Sequence, residues 1–412
     1  MAMKNRVVIT GLGAVSPYGR GTDALVEGLL QGRSAVRTMP ELARVGGMRP
    51  RLAATVLGID PKEIPRKLRR SMSPMSVFAV LAAQEAVAQG GLSTFHCGDG
   101  RLGVAIGSTV GSTQAIEDFF RDFFTDNSLE RMKTTLFFQI MNHTVAANVV
   151  QALEISGRLL APASACSTGC QAVGYGFEMI AAGRQEMMLC GGADEFHPLT
   201  VATFDIMNAA SFAFNEEPSR SPRPFDRDRD GMVCSEGAGV VLLESLPSAL
   251  ARGASILGEV AGFATVSDTG NIAHPDPKVM ARCMELALAD AGVEPEQVDY
   301  VNAHATGTQQ GDQAECEAVV AVFGGSVPVS SYKGHIGHTM AASGSLELIA
   351  ALELMNRQRL VPTLNLKNID PLCGGVRHPE AVSASSIAVF VKNSFALGGV
   401  NSTLVVRRYP ND

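Results

Sequence analysis

Apolar residues along this chain gather into short continuous runs. Leu102-Gly103-Val104-Ala105-Ile106, Met187-Met188-Leu189-Cys190, Gly239-Val240-Val241-Leu242-Leu243 and Ile387-Ala388-Val389-Phe390-Val391 are the clearest, and such runs mark strands covered on both faces. Helical signals alternate with them, so the pattern predicts mixed α/β layers. Two of the helices are unusual in composition. Thr168-Gly169-Cys170-Gln171-Ala172-Val173-Gly174-Tyr175 and Ala341-Ala342-Ser343-Gly344-Ser345-Leu346-Glu347 are built largely of small residues. Small side chains let a helix lie close to neighbouring backbone, so both are expected to be central, with their starts facing one cleft.

The strand-and-turn pattern of Arg6-Val7-Val8-Ile9-Thr10-Gly11-Leu12-Gly13 returns in Ile256-Leu257-Gly258-Glu259-Val260-Ala261-Gly262-Phe263. That recurrence predicts a duplicated fold, with halves at 1–250 and 251–412 and a junction near Pro247 to Gly253. No low-complexity tract or polar linker separates the halves, so they should pack as one body.

Composition narrows the function. With 412 residues, 18% charged and 46% hydrophobic, the chain carries a large core and is expected to bury a subunit interface. The net charge of −7 has the wrong sign for gripping a nucleic-acid backbone. No apolar run approaches the roughly 18 residues that a membrane span needs. The start, Met1-Ala2-Met3-Lys4-Asn5-Arg6, leads into a stretch interrupted by Thr10 and Gly11, which reads as a first strand rather than a secretory signal and points to a cytoplasmic protein. Eight dispersed cysteines without C-x-x-C spacing argue against disulfides and against a zinc finger.

One cysteine stands out. In Ser164-Ala165-Cys166-Ser167-Thr168-Gly169 the thiol sits where a strand passes into a helix. Unpaired amides and the helix dipole there favour a thiolate and can hold an oxyanion. Two histidine segments could serve it, Asn302-Ala303-His304-Ala305-Thr306-Gly307-Thr308 and Lys333-Gly334-His335-Ile336-Gly337-His338. The small residues around them leave room for a substrate. His335 is the weaker candidate, standing between glycines before the predicted helix start.

These segments together resemble the β-ketoacyl-acyl-carrier-protein synthases of the thiolase-like condensing enzymes, of the synthase I/II type with some polyketide-synthase features. The likeness runs over nearly the whole chain, through Ala165-Cys166-Ser167-Thr168-Gly169, Arg223-Pro224-Phe225-Asp226, Arg229-Asp230-Gly231, Glu236-Gly237-Ala238-Gly239, Asn302-Ala303-His304, Gly337-His338 and Asn393-Ser394-Phe395. The resemblance implies a duplicated five-layer α-β-α-β-α fold and a Cys166-His304-His338 centre. The thiolate would accept an acyl group, and the imidazoles would stabilise the enolate left when a malonyl thioester loses carbon dioxide. It further implies that Lys333 orders the histidine region with Asp312, Glu315 and Glu347, and that the amides of Cys166 and Leu397 form an oxyanion hole. Thr306 and Thr308 match pantetheine contacts, and Val110, Phe138 and Phe204 fall where the family lines its acyl pocket. The basic run Arg66, Lys67, Arg69 and Arg70 would receive an acidic acyl-carrier protein. No metal and no resident cofactor are expected, since substrates arrive on the carrier's phosphopantetheine. A homodimer is the expected assembly, with a heterodimer containing a chain-length subunit the other arrangement.

Two departures bear on specificity. Ala396-Leu397-Gly398-Gly399-Val400-Asn401 stands where the family commonly has Gly-Phe-Gly-Gly-Thr-Asn, and Gly307 replaces a common Ser. An aromatic gate and a hinge glycine are therefore missing, which is expected to alter acyl selectivity and gating; with the polyketide-like Gly307, polyketide or polyene elongation stands beside fatty-acid elongation as the expected function. Two other functions were weighed. A thiolase would need a second reactive cysteine, for which Cys373-Gly374-Gly375 offers only the letters, and a non-catalytic chain-length subunit would lack Cys166.

Overall fold

In the computed structural model, residues 5–410 are described; the basic opening residues weighed above as a leader, 1–4, lie outside them. Ten strands carry the architecture. They are β1 (Val7–Ser16), β2 (Leu102–Gly107), β3 (Leu159–Leu160), β4 (Met187–Asp194), β5 (Gly237–Ser245), β6 (Gly258–Ser267), β7 (Tyr300–Asn302), β8 (Val329–Ser330), β9 (Val389–Ala396) and β10 (Val400–Arg407). Their hydrogen-bonded order is β8-β7-β9-β10-β6-β1-β5-β4-β2-β3, with the short Gly19–Arg20 strand appended to β1.

That order contains the duplication. Outward from the middle, the first set runs β1, β5, β4, β2, β3, and the second runs β6, β10, β9, β7, β8. Both sets therefore take their five strands in the sequence order first, fifth, fourth, second, third. Pairing directions repeat as well: the first two pairings are antiparallel and the outer two parallel in each set. The two sets meet where β1 runs antiparallel to β6, through Val7 with Val260, Val8 with Glu259 and Ile9 with Gly258. Sequence pattern alone did not predict this hydrogen-bonded join. Between the sets the chain forms only the short helix Leu246–Ala251.

Helices complete five layers. α1 (Pro74–Gln89) covers the outer face of the first set, and α3 (Pro277–Ala291) with α4 (Gln309–Phe323) covers that of the second. Between the sheets lie the two small-residue helices, α2 (Thr168–Ala181) and α5 (Ser343–Asn356), packed on each other and on strands of both sets. Their composition is a packing requirement. A Cβ on Gly169 would stand 2.6 Å from the carbonyl oxygen of Ala341, and one on Gly344 would stand 2.4 Å from the amide nitrogen of Cys170. The starts of the two helices are thus held in backbone contact, as expected. Among the described residues no helix is long and apolar enough to cross a membrane, and all eight cysteines are free and buried.

Candidate active site

The nucleophile turn and the His338 turn share one local design. Ala165 (φ 48°) precedes Cys166, and a 3-10 turn over Ala165–Ser167 feeds α2. Met340 (φ 52°) follows His338, and a 3-10 turn over Met340–Ala342 feeds α5. A left-handed conformation costs a non-glycine residue about 1–3 kcal/mol, which the packed surroundings must hold in place. Two ties do so. Ser167 Oγ reaches the carbonyl oxygens of Ser394 (2.7 Å) and Val400 (2.9 Å) in the β9–β10 hairpin. Asp194, at the end of β4, accepts from the Ala341 amide at 2.7 Å and from Thr109.

These turns bring His338 Nε2 to 2.9 Å from Cys166 Sγ. The Met340 amide donates to His338 Nδ1 at 3.3 Å, which leaves Nε2 as the protonated nitrogen of the neutral ring. His338 therefore presents a donor to sulfur or to a substrate oxygen. His304 lies beside it, edge to face, with ring centres 5.3 Å apart. Burial and the nearby Lys333 and Lys392 ammoniums push both imidazoles down, His338 to about 3 and His304 well below its ordinary value. Both rings are neutral at physiological pH.

The thiol departs from the expectation for a helix start. Burial pushes Cys166 up to about 12, with Lys333 pulling it down and Asp194 and Glu347 pushing it further up. Desolvation outweighs the favourable helix terminus, so the resting group is a thiol, with Lys333 and the Cys166 amide favouring its anion. The thiol and the two rings also have their donor atoms within 4.8 Å of one another, a soft grouping of a size that a zinc ion can use.

The His304 loop is held from below. Glu315 on α4 accepts the amides of His304 (2.8 Å) and Ala305 (2.7 Å). Asp312 accepts those of Phe225 (2.8 Å) and Gly307 (3.1 Å), with Arg229 at 3.6 Å. Gly307 has φ 90°, and a Cβ there would stand 2.9 Å from the Gly231 carbonyl oxygen, so the turn calls for glycine. A cavity of about 750 Å³ opens above, lined by Cys166, His304, His338, Thr306, Thr308, Phe204, Phe395 and Leu397 among others.

The sequence model described as "Beta-ketoacyl synthase, N-terminal domain" matches residues 4–249, and "Beta-ketoacyl synthase, C-terminal domain" matches 257–367. The chain belongs to the beta-ketoacyl synthase family. It is 31% identical over 406 residues to the 3-oxoacyl-[acyl-carrier-protein] synthase 1 of Haemophilus influenzae, covering 98% of this chain and 99% of that one. A solved beta-ketoacyl synthase from Burkholderia phymatum superposes with a TM-score of 0.94 at 41% identity, covering 98% of this chain and 100% of that one. The ketosynthase complex AntDE:AntF, a type II polyketide acyl-carrier protein with its ketosynthase bound to the hexaketide, superposes at 0.91 with 28% identity, covering 99% and 100%.

Within this beta-ketoacyl synthase framework most of the expected residues converge. Thr306 and Thr308 line the cavity with their hydroxyls 3.1 Å apart, and Phe204 and Leu397 form part of its wall. Val110 and Phe138 do not. Val110 is 48% exposed on the loop before the Thr113–Phe124 helix, and Phe138 sits half-buried on the Thr134–Ile140 helix against His143. Both belong to an outward face that also exposes Phe120, Phe124 and Phe137. Lys333 pairs with Glu347 at 2.6 Å, and Asp312 and Glu315 hold the backbone of the His304 loop, so these four groups support the histidine region from two sides. His335 is a structural residue, buried and 3.2 Å from the Pro362 carbonyl oxygen.

Sequence reasoning missed Lys392 and Asp194, and it gave Asn393, in one of the matching segments, no role. Lys392 shares Glu347 with Lys333 at 2.6 Å, and the Asn393 side chain donates to Glu315 at 3.2 Å. A lysine inside an apolar strand was the signal available for the first. In the basic run, Arg66, Lys67 and Arg70 are exposed, while Arg69 is partly buried.

Proposed function

We propose that this protein elongates an acyl chain by decarboxylative Claisen condensation, the acyl group carried on Cys166 and the malonyl unit on the phosphopantetheine of an acyl-carrier protein. The observation that carries the reading is the meeting of a strained-turn thiol with two imidazoles at the floor of a cavity. Cys166 attacks the incoming thioester, and its own amide with that of Leu397 receives the developing oxyanion. The carrier thiol leaves. A malonyl thioester then places its carbonyl oxygen between His304 and His338; carbon dioxide departs, the enolate is held by the two rings, and its carbon attacks the acyl-Cys166 carbonyl, whose C–S bond breaks to release Cys166 and leave the β-ketoacyl chain on the carrier. Thr306 and Thr308 supply hydroxyls for the pantetheine amides.

Cys166 is the one cysteine in the lining of this cavity, and Cys373 is buried against Cys316 in the core of the second half. This favours condensation over thiolase chemistry, and the thiol itself speaks against a non-catalytic chain-length subunit. We take 1–250 and 251–412 as the two halves. The exposed phenylalanines around Val110 and Phe138 support a second subunit seated on that face, either a second copy or a chain-length subunit, which would bring these residues to the acyl end. The AntDE:AntF complex pairs a carrier protein with its ketosynthase, and the Arg66, Lys67 and Arg70 face supplies complementary charge for one here. Leu397 in place of an aromatic gate supports longer or unsaturated acyl chains, in a cytoplasmic enzyme. Intact-mass detection of acyl-Cys166 across a panel of acyl-carrier thioesters tests the reading; no adduct with any of them would overturn it.

A further inference from the structure

Beneath the two histidines lies a fully buried cluster of three ions. Glu347 on α5 accepts Lys333 Nζ on one carboxylate oxygen and Lys392 Nζ on the other, each at 2.6 Å, and all three side chains are inaccessible to solvent. Ser343 Oγ adds a bond to Glu347 at 3.1 Å, and Lys392 also donates to the Asn393 carbonyl oxygen. Lys333 alone would balance Glu347. Burying a second ammonium costs desolvation free energy that one carboxylate does not offset. Glu315 interacts with both ammoniums through space but pairs directly with neither, its oxygens accepting the His304 and Ala305 amides and the Asn393 side chain. With all three ionised, the cluster carries a net charge of +1 from two ammoniums and one carboxylate.

We propose that Lys392 is a positioning residue for the decarboxylation step, the second ammonium on Glu347 that makes the ground beneath His304 and His338 favour an anion. The inference rests on the condensation reading. When the malonyl C–C bond breaks, its electron pair moves onto the thioester enolate and carbon dioxide leaves, so a negative charge appears where both ring donors point. A buried positive charge behind those rings stabilises that charge and opposes protonation of the rings. The charged and titratable groups facing the histidines are Lys333, Glu347, Lys392, Glu315, Asp312, Asp194 and Cys166. Among the causes of the lowered histidine values, Lys333 and Lys392 act on both rings, and Glu347 opposes them at His338.

The test uses carbon dioxide release from malonyl-pantetheine by the full-length protein. Lys392→Met sets the cluster charge to zero, and Lys392→Met with Glu347→Gln returns it to +1 on Lys333 alone. The single variant should lose about tenfold or more in kcat with KM nearly unchanged. The double variant should recover at least about threefold of that loss, which a merely structural role would not allow. Histidine NMR should show the His304 and His338 rings titrating at higher pH in Lys392→Met than in native protein, with the double variant returning toward native. A double variant as slow as the single one, or a single variant as fast as native, overturns the proposal. Should Lys392→Met fail to fold, the double variant is compared with native, and a kcat more than about tenfold lower overturns it. Native protein that releases no carbon dioxide would instead refute the condensation reading.

Discussion

Cys166 Sγ and His338 Nε2 meet at 2.9 Å across 172 residues of sequence, one from each half of the duplicated fold. The contact depends on both halves placing an equivalent turn at the start of an equivalent central helix. Because each turn contains a left-handed non-glycine residue, Ala165 or Met340, the pair is set by the packing around it rather than by local preference.

Replacing Cys166 with Ala should abolish acylation and condensation while changing the melting temperature little, since one small buried thiol removes little volume. Cys170→Ala should keep full acylation, because Cys170 is buried one turn into α2. Mass spectrometry of each variant after exposure to an acyl thioester checks both expectations.

The histidines should separate kinetically. His338→Ala removes the donor facing sulfur and should slow Cys166 acylation as well as malonyl decarboxylation, whereas His304→Ala should spare acylation and accumulate acyl-enzyme. Each lost donor should cost about 10²–10³ in the decarboxylation rate. Rapid-quench assays of the two half-reactions show whether the split exists.

Alkylation of Cys166 by iodoacetamide should rise steadily with pH and show no plateau up to pH 9, since burial pushes the thiol up to about 12. A plateau near neutral pH would mean that the helix terminus outweighs desolvation.

His335 offers a stability measurement away from the chemistry. Burial pushes it down to about 4, below its unfolded value of about 6.5. A depressed histidine leaves stability intact above the unfolded value and removes it as pH falls toward the folded one. His335→Gln should therefore lose less stability than native protein between pH 7 and pH 5, by about 2 kcal/mol. Chemical denaturation at the two pH values gives the difference.

Reversing Arg66, Lys67 and Arg70 to Glu should raise KM for a carrier-protein substrate and flatten its salt dependence, leaving turnover of short pantetheine thioesters unchanged. Arg69 is left intact because its guanidinium Nε is buried. Equal losses with both substrate types would assign the run to the fold.

Much of this site is legible in sequence because its chemistry rests on short local signals. Cys166 before a small-residue helix, and His304 and His338 among Gly, Ala and Thr, could be found without coordinates, and the repeated strand pattern correctly signalled the duplication. What escaped notice was long-range. Lys392 reads as an interruption of an apolar strand until Glu347, 45 residues away, appears beside it. Asp194 ends an ordinary strand, and its role exists only because the Ala341 turn reaches it. The charge state of Cys166 was misjudged for the same reason: a helix start is visible in sequence, but the depth of burial around it is not. Val110 and Phe138 lie away from the cavity on an outward face, and local sequence does not distinguish that position from a pocket wall.

The most direct test of the central claim is a single-turnover reaction in which Cys166 is first loaded with a labelled acyl group and then given malonyl-acyl-carrier protein. The account predicts carbon dioxide release, loss of the label from Cys166, and its appearance on the carrier in a β-ketoacyl product two carbons longer. Label that stays on Cys166, or returns to the carrier with its chain length unchanged, would contradict it.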